Sequence, residues 1–213
     1  MPNIPWKQLL LTQRSRVPEL IKMLQPEMLN RVSASIDRFL NESVGVLCLS
    51  ELKDSLLMWA HYADNHRGFV LGFDADHHFF SKRRNATDEF GFLRKVDYRR
   101  QRPNVVLSDT SSTVWFGTKS DQWAYEKEWR IVRVLSETIH QIVIPPFPIC
   151  LFEFPPDALK EIVLGSRAAP SLVQRVSSLA QNFPTATLIQ AREDSDDYGL
   201  LFAQAGLKGA SAG

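Results

Sequence analysis

The chain has 213 residues, 44% of them hydrophobic and 23% charged, with 10 Gly and 12 Pro. Those are the proportions of one globular domain, and they exclude a disordered or fibrous chain. Lys and Arg number 25 against 24 Asp and Glu, a net charge of +1, so no overall field selects nucleic acid or an anionic membrane.

Residues 1–43 are expected to form a helical segment. Met28, Leu29, Val32, Ile36, Phe39 and Leu40 recur at helical spacing and make one apolar stripe, and Pro18 and Pro26 divide what precedes it. The start, MPNIPWKQLLLTQRSR, lacks the basic opening, long apolar run and small-residue cleavage site of a secretory signal. No stretch approaches the ~18 apolar residues of a membrane span. These features predict a soluble, cytoplasmic protein with no membrane partner.

A single α+β domain is expected over 44–205. Val44 to Leu49 is a continuous apolar run with two β-branched valines, expected as a strand buried on both faces. Ser50 or Asp54 can cap a short helix over roughly 55–64, and Gly68 is expected to end it in a left-handed cap. Further strands are predicted at Phe69 to Phe73, Phe92 to Tyr98, Trp129 to Leu135, Ile149 to Phe154, Glu161 to Leu164, Ala186 to Gln190 and Leu200 to Phe202. Ser171 and Gln174 fit a capping box ahead of an amphipathic helix through Phe183. Gly165-Ser166 is expected as a turn. Helices first, then many short strands with few helices between, predict an α+β fold with a mixed or antiparallel sheet, an N-terminal helical segment and a C-terminal helix packed on the sheet. Residues 206–213 are expected to be a frayed tail. Cys48 and Cys150 sit in apolar runs and are expected to be buried, reduced thiols; two isolated cysteines are too few to hold zinc, and no metal site is expected.

Two segments concentrate chemistry. LLMWAHYADNHRGFVLGFD, residues 56–74, places Trp59, His61, Tyr62, Asp64, His66 and Arg67 within nine positions. His61 and His66 are five apart, about 500° on a helix, so they do not form the i,i+4 pair of a helical metal site. KSDQWAYEKEWRIVRV, residues 119–134, sets Glu126, Glu128, Arg130 and Val132 on one face by strand alternation. Two carboxylates and a guanidinium on one face form either an ion-paired strand end or an oriented catalytic carboxylate whose pKa burial has moved. A third segment, 81–102, carries Lys82, Arg83, Arg84, Arg94, Lys95, Arg99, Arg100 and Arg102 against Asp88, Glu89 and Asp97. Such a stretch can touch phosphate or simply clothe a loop and a strand edge.

MWAHYADNHRGFVLGFD and WAYEKEWRIV, followed by EIVLG, resemble the bacterial family known as domain of unknown function 2971, over about Val44 to Phe202. Members of that family begin with a short strand near a Tyr-Lys-Tyr motif and an Asn-Asp-Pro-Phe motif. Neither occurs here, so the resemblance implies an N-terminally shortened member with a sheet edge laid open. The motifs are also faintly similar to those of ADP-ribosyltransferases, which bind NAD in a split sheet and carry Glu-x-Glu at a strand start, matched here by Glu126-Lys127-Glu128.

Three functions follow as expectations. The first is a small-ligand or partner-binding module, in a stress or phage-defence setting, with a polar cleft built by His61, Tyr62, His66, Arg67, Tyr125 and Arg130 and with Trp59, Trp115, Trp123 and Trp129 as anchors. The second, implied by the resemblance, is an enzyme that uses NAD as substrate, with Glu128 as the catalytic carboxylate and Glu126 orienting it. The third, and least favoured, is nucleic-acid binding through 81–102.

Overall fold

The computed structural model describes residues 26–83, 85, 86, 88, 91–103, 113–145 and 147–205. The helical expectation for 1–25 and the frayed tail at 206–213 lie outside them, as do Arg84 and Glu89 of the basic stretch and the side chain of Trp115.

Helix α1, Pro26–Ser43, runs directly into strand β1, Val44–Ser50. The apolar stripe of α1 is only partly used: Ile36 and Leu40 are half-buried, whereas Met28, Val32 and Phe39 are exposed. Strand β1 pairs antiparallel with β6, Glu128–Val134, and β6 pairs on its other side with the two-residue strand β3, Arg94–Lys95. The order of this sheet is β1-β6-β3, so β1 is an edge and not the doubly covered strand its composition predicts. Val46, Leu47 and Cys48 are exposed in consequence. Cys48 is therefore a free, exposed thiol and Cys150 a free, half-buried one, which corrects the expectation that both are buried.

The second sheet is mixed, in the order β11-β10-β9-β2. Helix α2, Leu56–Tyr62, capped by the Ser55 hydroxyl on the Met58 N–H, leads into β2, Phe69–Phe73. Strand β9, Leu159–Leu164, lies antiparallel to β2 and parallel to β10, Thr187–Glu193, while β11, Leu200–Gln204, closes the sheet antiparallel to β10. The parallel step from β9 to β10 requires a crossover, which helix α5, Pro170–Ala180, supplies. Its Leu172, Val173, Val176 and Ala180 pack on Leu159, Ile162 and Leu164. On the other side of this sheet Trp59 of α2 and Ala63, which follows it, pack against Val163, Ile189, Ala191 and Leu200. The α+β architecture with mixed and antiparallel sheets is as the element order predicts.

Three local predictions need correction. Helix α5 starts one residue earlier than the Ser171 capping box: Pro170 occupies its first turn after Ala169, and no side chain caps it. Proline suits that place because the N–H it lacks would have no helical partner anyway. The strand predicted over 92–98 divides at the buried Val96. The Val96 N–H still bonds the Glu128 carbonyl at 2.9 Å, but the chain then leaves β6, and β4, Asp97–Arg99, pairs parallel with β5, Thr118–Ser120. Helix α3, His78–Ser81, and helix α4, Thr113–Gly117, lie in the two connections before β3 and β5. Finally, 140–151 forms a hairpin, β7 His140–Ile144 with β8 Phe147–Leu151, where only the second strand is predicted, and that strand ends earlier than expected. The prolines at 145, 146 and 148 hide this hairpin from a propensity argument.

Gly68 is not left-handed. The turn after α2 is made instead by Asp64, Asn65 and His66, with φ of 48°, 52° and 67°, the non-glycine residue types that tolerate this region best. The turn drives the His66 carbonyl against the end of β9. A Cβ on Gly165 would lie 2.1 Å from that oxygen, so Gly165 is required for close approach of two chain segments. The Gly165 N–H bonds Gly68 and the Arg167 N–H bonds His66, at 2.9 and 3.0 Å. The glycine of EIVLG thus seats the loop of the histidine-rich motif.

Candidate functional site

The two chemistry-bearing segments meet. Residues Asp121–Glu126 form a turn of 3₁₀ helix, and Lys127 follows in the left-handed region with φ 45°. That kink brings Glu126, which lies before the strand, beside Glu128, its first residue. Both are buried, at 2% and 5% exposure. Such charges persist out of water only when paired and hydrogen-bonded.

Their partners are specific. Arg130 grips Glu128 with two parallel bonds, Nε to Oε1 at 2.8 Å and Nη2 to Oε2 at 3.0 Å, and its Nη1 donates to the Phe116 carbonyl at 2.7 Å. Lys119 reaches across from β5 to donate to Glu128 Oε2 at 3.0 Å and to Glu126 Oε2. The Tyr62 hydroxyl, from the last turn of α2, donates to Glu126 Oε1 at 2.8 Å. Ser50, at the end of β1, donates to the Glu126 carbonyl at 2.7 Å, and the Glu128 N–H donates to the Tyr98 hydroxyl oxygen at 2.8 Å.

Titration follows from this wiring. Burial pushes the Glu128 carboxyl up, but hydrogen bonds from Arg130, Cys48 and Lys119 outweigh it and hold the pKa at about 2. Burial likewise works against charge on Lys119, and its two carboxylate partners overcome that and raise it. The hydrogen bond to Glu126, then burial, raises Tyr62. Although Cys48 as a whole keeps an exposed side, loss of water around its sulfur and the adjacent Glu128 push the thiol up to about 11. A thiol there stays protonated at neutral pH and is a poor nucleophile.

Beside this cluster a cleft of about 660 Å³ opens between the two sheets. Leu49, Leu52, Met58, Trp59, Val70, Phe73, Phe80, Leu93 and Trp129 give it apolar walls. Cys48, Ser50 and Tyr62 belong to both cleft and cluster, so the ionic network forms the backing of one wall. At the rim Glu51 accepts from Lys95 Nζ at 2.9 Å and Trp129 Nε1 at 2.8 Å, and Lys53 Nζ donates to Glu161 at 2.9 and 3.1 Å. The volume falls within the ~300–1,000 Å³ of ordinary small-molecule sites, as does the pattern of apolar walls with a few converging polar groups.

The sequence-predicted residues divide. Tyr62, Glu126, Glu128 and Arg130 come together. Tyr125 lies close by, its ring 5.9 Å from Trp123, over which Lys119 Nζ sits at 5.0 Å. His61 is exposed with its ring edge-on to Tyr62 at 6.3 Å. His66 is elsewhere: it stacks on Trp59 at 6.0 Å and lines a second recess with Arg167, Glu193 and residues 194–199, which shares no lining residue with the cleft. Arg67 is exposed and pairs with Asp64 at 3.1 Å. Of the anchors, Trp59 and Trp129 line the cleft. Lys119 and Cys48 go unmarked in the sequence reading because strand pairing, and no fixed spacing, brings them to Glu128. The sole available signal for Lys119 is its place at the head of KSDQWAYEKEWR. Among the described basic residues of 81–102, Arg83 and Arg94 lie over the Phe92 ring at 4.2 and 4.8 Å, Lys95 pairs with Glu51, and Arg99 pairs with Asp97 at 2.6 Å. Four of the seven described basic residues are thus engaged within the protein. No group of three or more metal-ligating side chains occurs, and no helix is long and apolar enough to cross a membrane, among the described residues.

The family model described as "Protein of unknown function (DUF2971)" matches the chain over residues 58–131, which run from α2 to the middle of β6 and contain Tyr62, Lys119, Glu126, Glu128 and Arg130. No curated protein and no solved structure matches the chain.

Proposed function

Taking the DUF2971 match as the premise, we propose that the chain is a small-molecule-binding module whose site is the cleft between the two sheets. The observation that carries this reading is the pairing of a cleft of about 660 Å³, apolar and aromatic on its walls, with a buried ionic cluster whose charges are all committed. A cluster so wired fixes Tyr62, Ser50 and Cys48 in place; it offers the cleft a rigid, polar end and no unpaired carboxylate. The ligand class is a largely apolar molecule with one hydrogen-bonding end directed at Tyr62.

An apolar anionic dye that fluoresces on burial, anilinonaphthalene sulfonate, tests this. It should bind one per folded chain and quench tryptophan emission through Trp59 and Trp129. Ala75 is exposed and lines the cleft, so Ala75→Phe should fill part of it with little effect on the melting temperature and weaken dye binding tenfold or more. Dye binding unchanged by Ala75→Phe removes the cleft from consideration.

NAD, the substrate implied by the Glu-x-Glu resemblance, is a polar diphosphate outside that class, and thermal shifts with NAD and ADP-ribose form the second arm. A ligand at 100 times its dissociation constant adds about 2.7 kcal/mol, on the order of 5–10 °C for a chain of this size. The NAD-consuming reading assigns the transition-state charge to Glu128, whose two oxygens already hold Arg130 and Lys119. It therefore requires nicotinamide release that Glu128→Gln abolishes. No turnover is the outcome expected from the committed charges.

A further inference from the structure

On the reading of the cleft between the sheets as the ligand site, we propose that its ligand is a primary amine on an apolar body, the ammonium set against acceptor atoms of Cys48, Ser50 and Tyr62. The hydrogens of the wall decide the point. The Tyr62 hydroxyl donates to Glu126 Oε1 at 2.8 Å, and the Ser50 hydroxyl donates to the Glu126 carbonyl at 2.7 Å. The Cys48 thiol donates to the Glu128 carboxylate, which is ionised and can only accept. Each of the three has spent its hydrogen on the ionic cluster, and each lines the cleft with a lone pair still to offer. Ser50 keeps one after accepting from the Leu52 N–H at 3.0 Å.

The other side-chain donors of the wall are spent as well. Trp59 Nε1 donates to the Lys53 carbonyl at 2.7 Å and Trp129 Nε1 to Glu51 Oε1 at 2.8 Å. Lys53 Nζ is held on both oxygens of Glu161, at 2.9 and 3.1 Å. Next to Ser50 the main chain is closed too, since the Glu51 N–H bonds the Lys127 carbonyl. The charged side chains that line the cleft are Glu51 and Glu161 against Lys53, and the cluster behind it balances two glutamates with Lys119 and Arg130. An ammonium brings three donors and no acceptor, which matches the three lone pairs and the negative balance of the wall. A carboxylate brings acceptors only. It would lose its water and gain no hydrogen bond from these side chains, and that penalty is what makes the site selective. The anilinonaphthalene dye enters by its rings and leaves its sulfonate in water at the rim.

Calorimetric titration of the full chain at neutral pH tests the proposal with probes that share one naphthalene body: naphthylmethylamine, naphthoate and methylnaphthalene. The amine should bind at least tenfold tighter than naphthoate. Tyr62→Phe deletes an acceptor oxygen, so it should weaken the amine about tenfold and leave methylnaphthalene within about twofold. The comparison of amine with naphthoate needs no variant and stands even if Tyr62→Phe fails to fold. Naphthoate binding as tightly as the amine, or a Tyr62→Phe loss shared equally by methylnaphthalene, overturns the assignment of a donor end. Ala75→Phe then shows whether the cleft survives: probes that it blocks still occupy the cleft. If no probe binds, or if Ala75→Phe leaves all of them unaffected, the cleft is the wrong site and both readings fall.

Discussion

The two sheets bury different things. The four-stranded sheet packs α2 on one side and α5 on the other, and its buried residues are apolar: Ile162, Val163, Leu164, Ile189 and Ala191. The three-stranded sheet also buries Ile131 and Val132, but at the head of β6 it buries two glutamates, paired with a partly buried arginine and lysine. Area holds the first sheet. The end of the second is held by geometry, because each buried charge is tolerable only while its partners remain. The lesson is about fragility: an apolar core loses stability in proportion to what is removed, whereas a buried ionic cluster fails when one member leaves.

The largest effect expected from that difference is at Arg130. Arg130→Met strips Glu128 of its bidentate partner and should cost about 3–5 kcal/mol in denaturant unfolding, because an under-compensated charge stays buried. Leu164→Ala, at a site with 0% exposure in the other sheet, should cost a comparable 2–5 kcal/mol. The two are told apart by a second change. Adding Glu128→Leu to Arg130→Met removes the orphaned charge and should recover part of the loss. No second change near Leu164 short of refilling the cavity should do the same. If the double variant is less stable than Arg130→Met alone, the cluster is not held by charge compensation.

Acid should separate the sheets next. The folded pKa of Glu128, about 2, lies below its ordinary value of 4.5, so its contribution is fully present above pH 4.5 and is lost as pH falls toward 2. A depression of this size is worth about 3 kcal/mol for a side chain so buried. Urea unfolding of Glu128→Gln from pH 6 downward should lack that part of the acid loss. Parallel pH profiles for the two proteins would mean that Glu128 is not held low. Smaller again is Tyr62→Phe, which deletes a single bond to Glu126 from an exposed ring. About 1 kcal/mol is expected, with Lys119 still holding the carboxylate. Dye binding in the cleft should fall along with it if Tyr62 supplies the polar end of the site.

How much of this was legible in the sequence depends on the range of the interaction. Strands β2, β9, β10 and β11 follow from local apolar runs, and so does α5, because burial on a sheet imposes a local pattern. The convergence of MWAHYADNH with WAYEKEWR is visible as motif density, yet the Tyr62–Glu126 bond spans 64 positions and Lys119 arrives through a parallel pairing with β4. The exposure of β1 escapes a local reading for the same reason. Val-Gly-Val-Leu-Cys-Leu is what a central strand looks like, and nothing local states that a sheet stops there. Strand alternation did place Glu126, Glu128 and Arg130 on one side, but for a partly wrong reason, since Glu126 is not in the strand.

That last point can be tested at Lys127. Its φ of 45° is the kink that lets a residue before the strand share a cluster with the strand's first residue. A left-handed lysine carries a steric cost of about 1–2 kcal/mol that glycine escapes, while glycine adds about 0.4–1 kcal/mol of unfolded-chain entropy. Lys127→Gly should therefore be neutral to stabilising by up to about 1 kcal/mol, the smallest effect of the set. Lys127→Val should be clearly destabilising, because a β-branched side chain is poorly accommodated at positive φ. If valine were tolerated as well as glycine, the kink would not be what joins Glu126 to Glu128. The cluster would then owe its assembly to the charges alone, and the contrast between the two sheets would lie in chemistry rather than in backbone geometry.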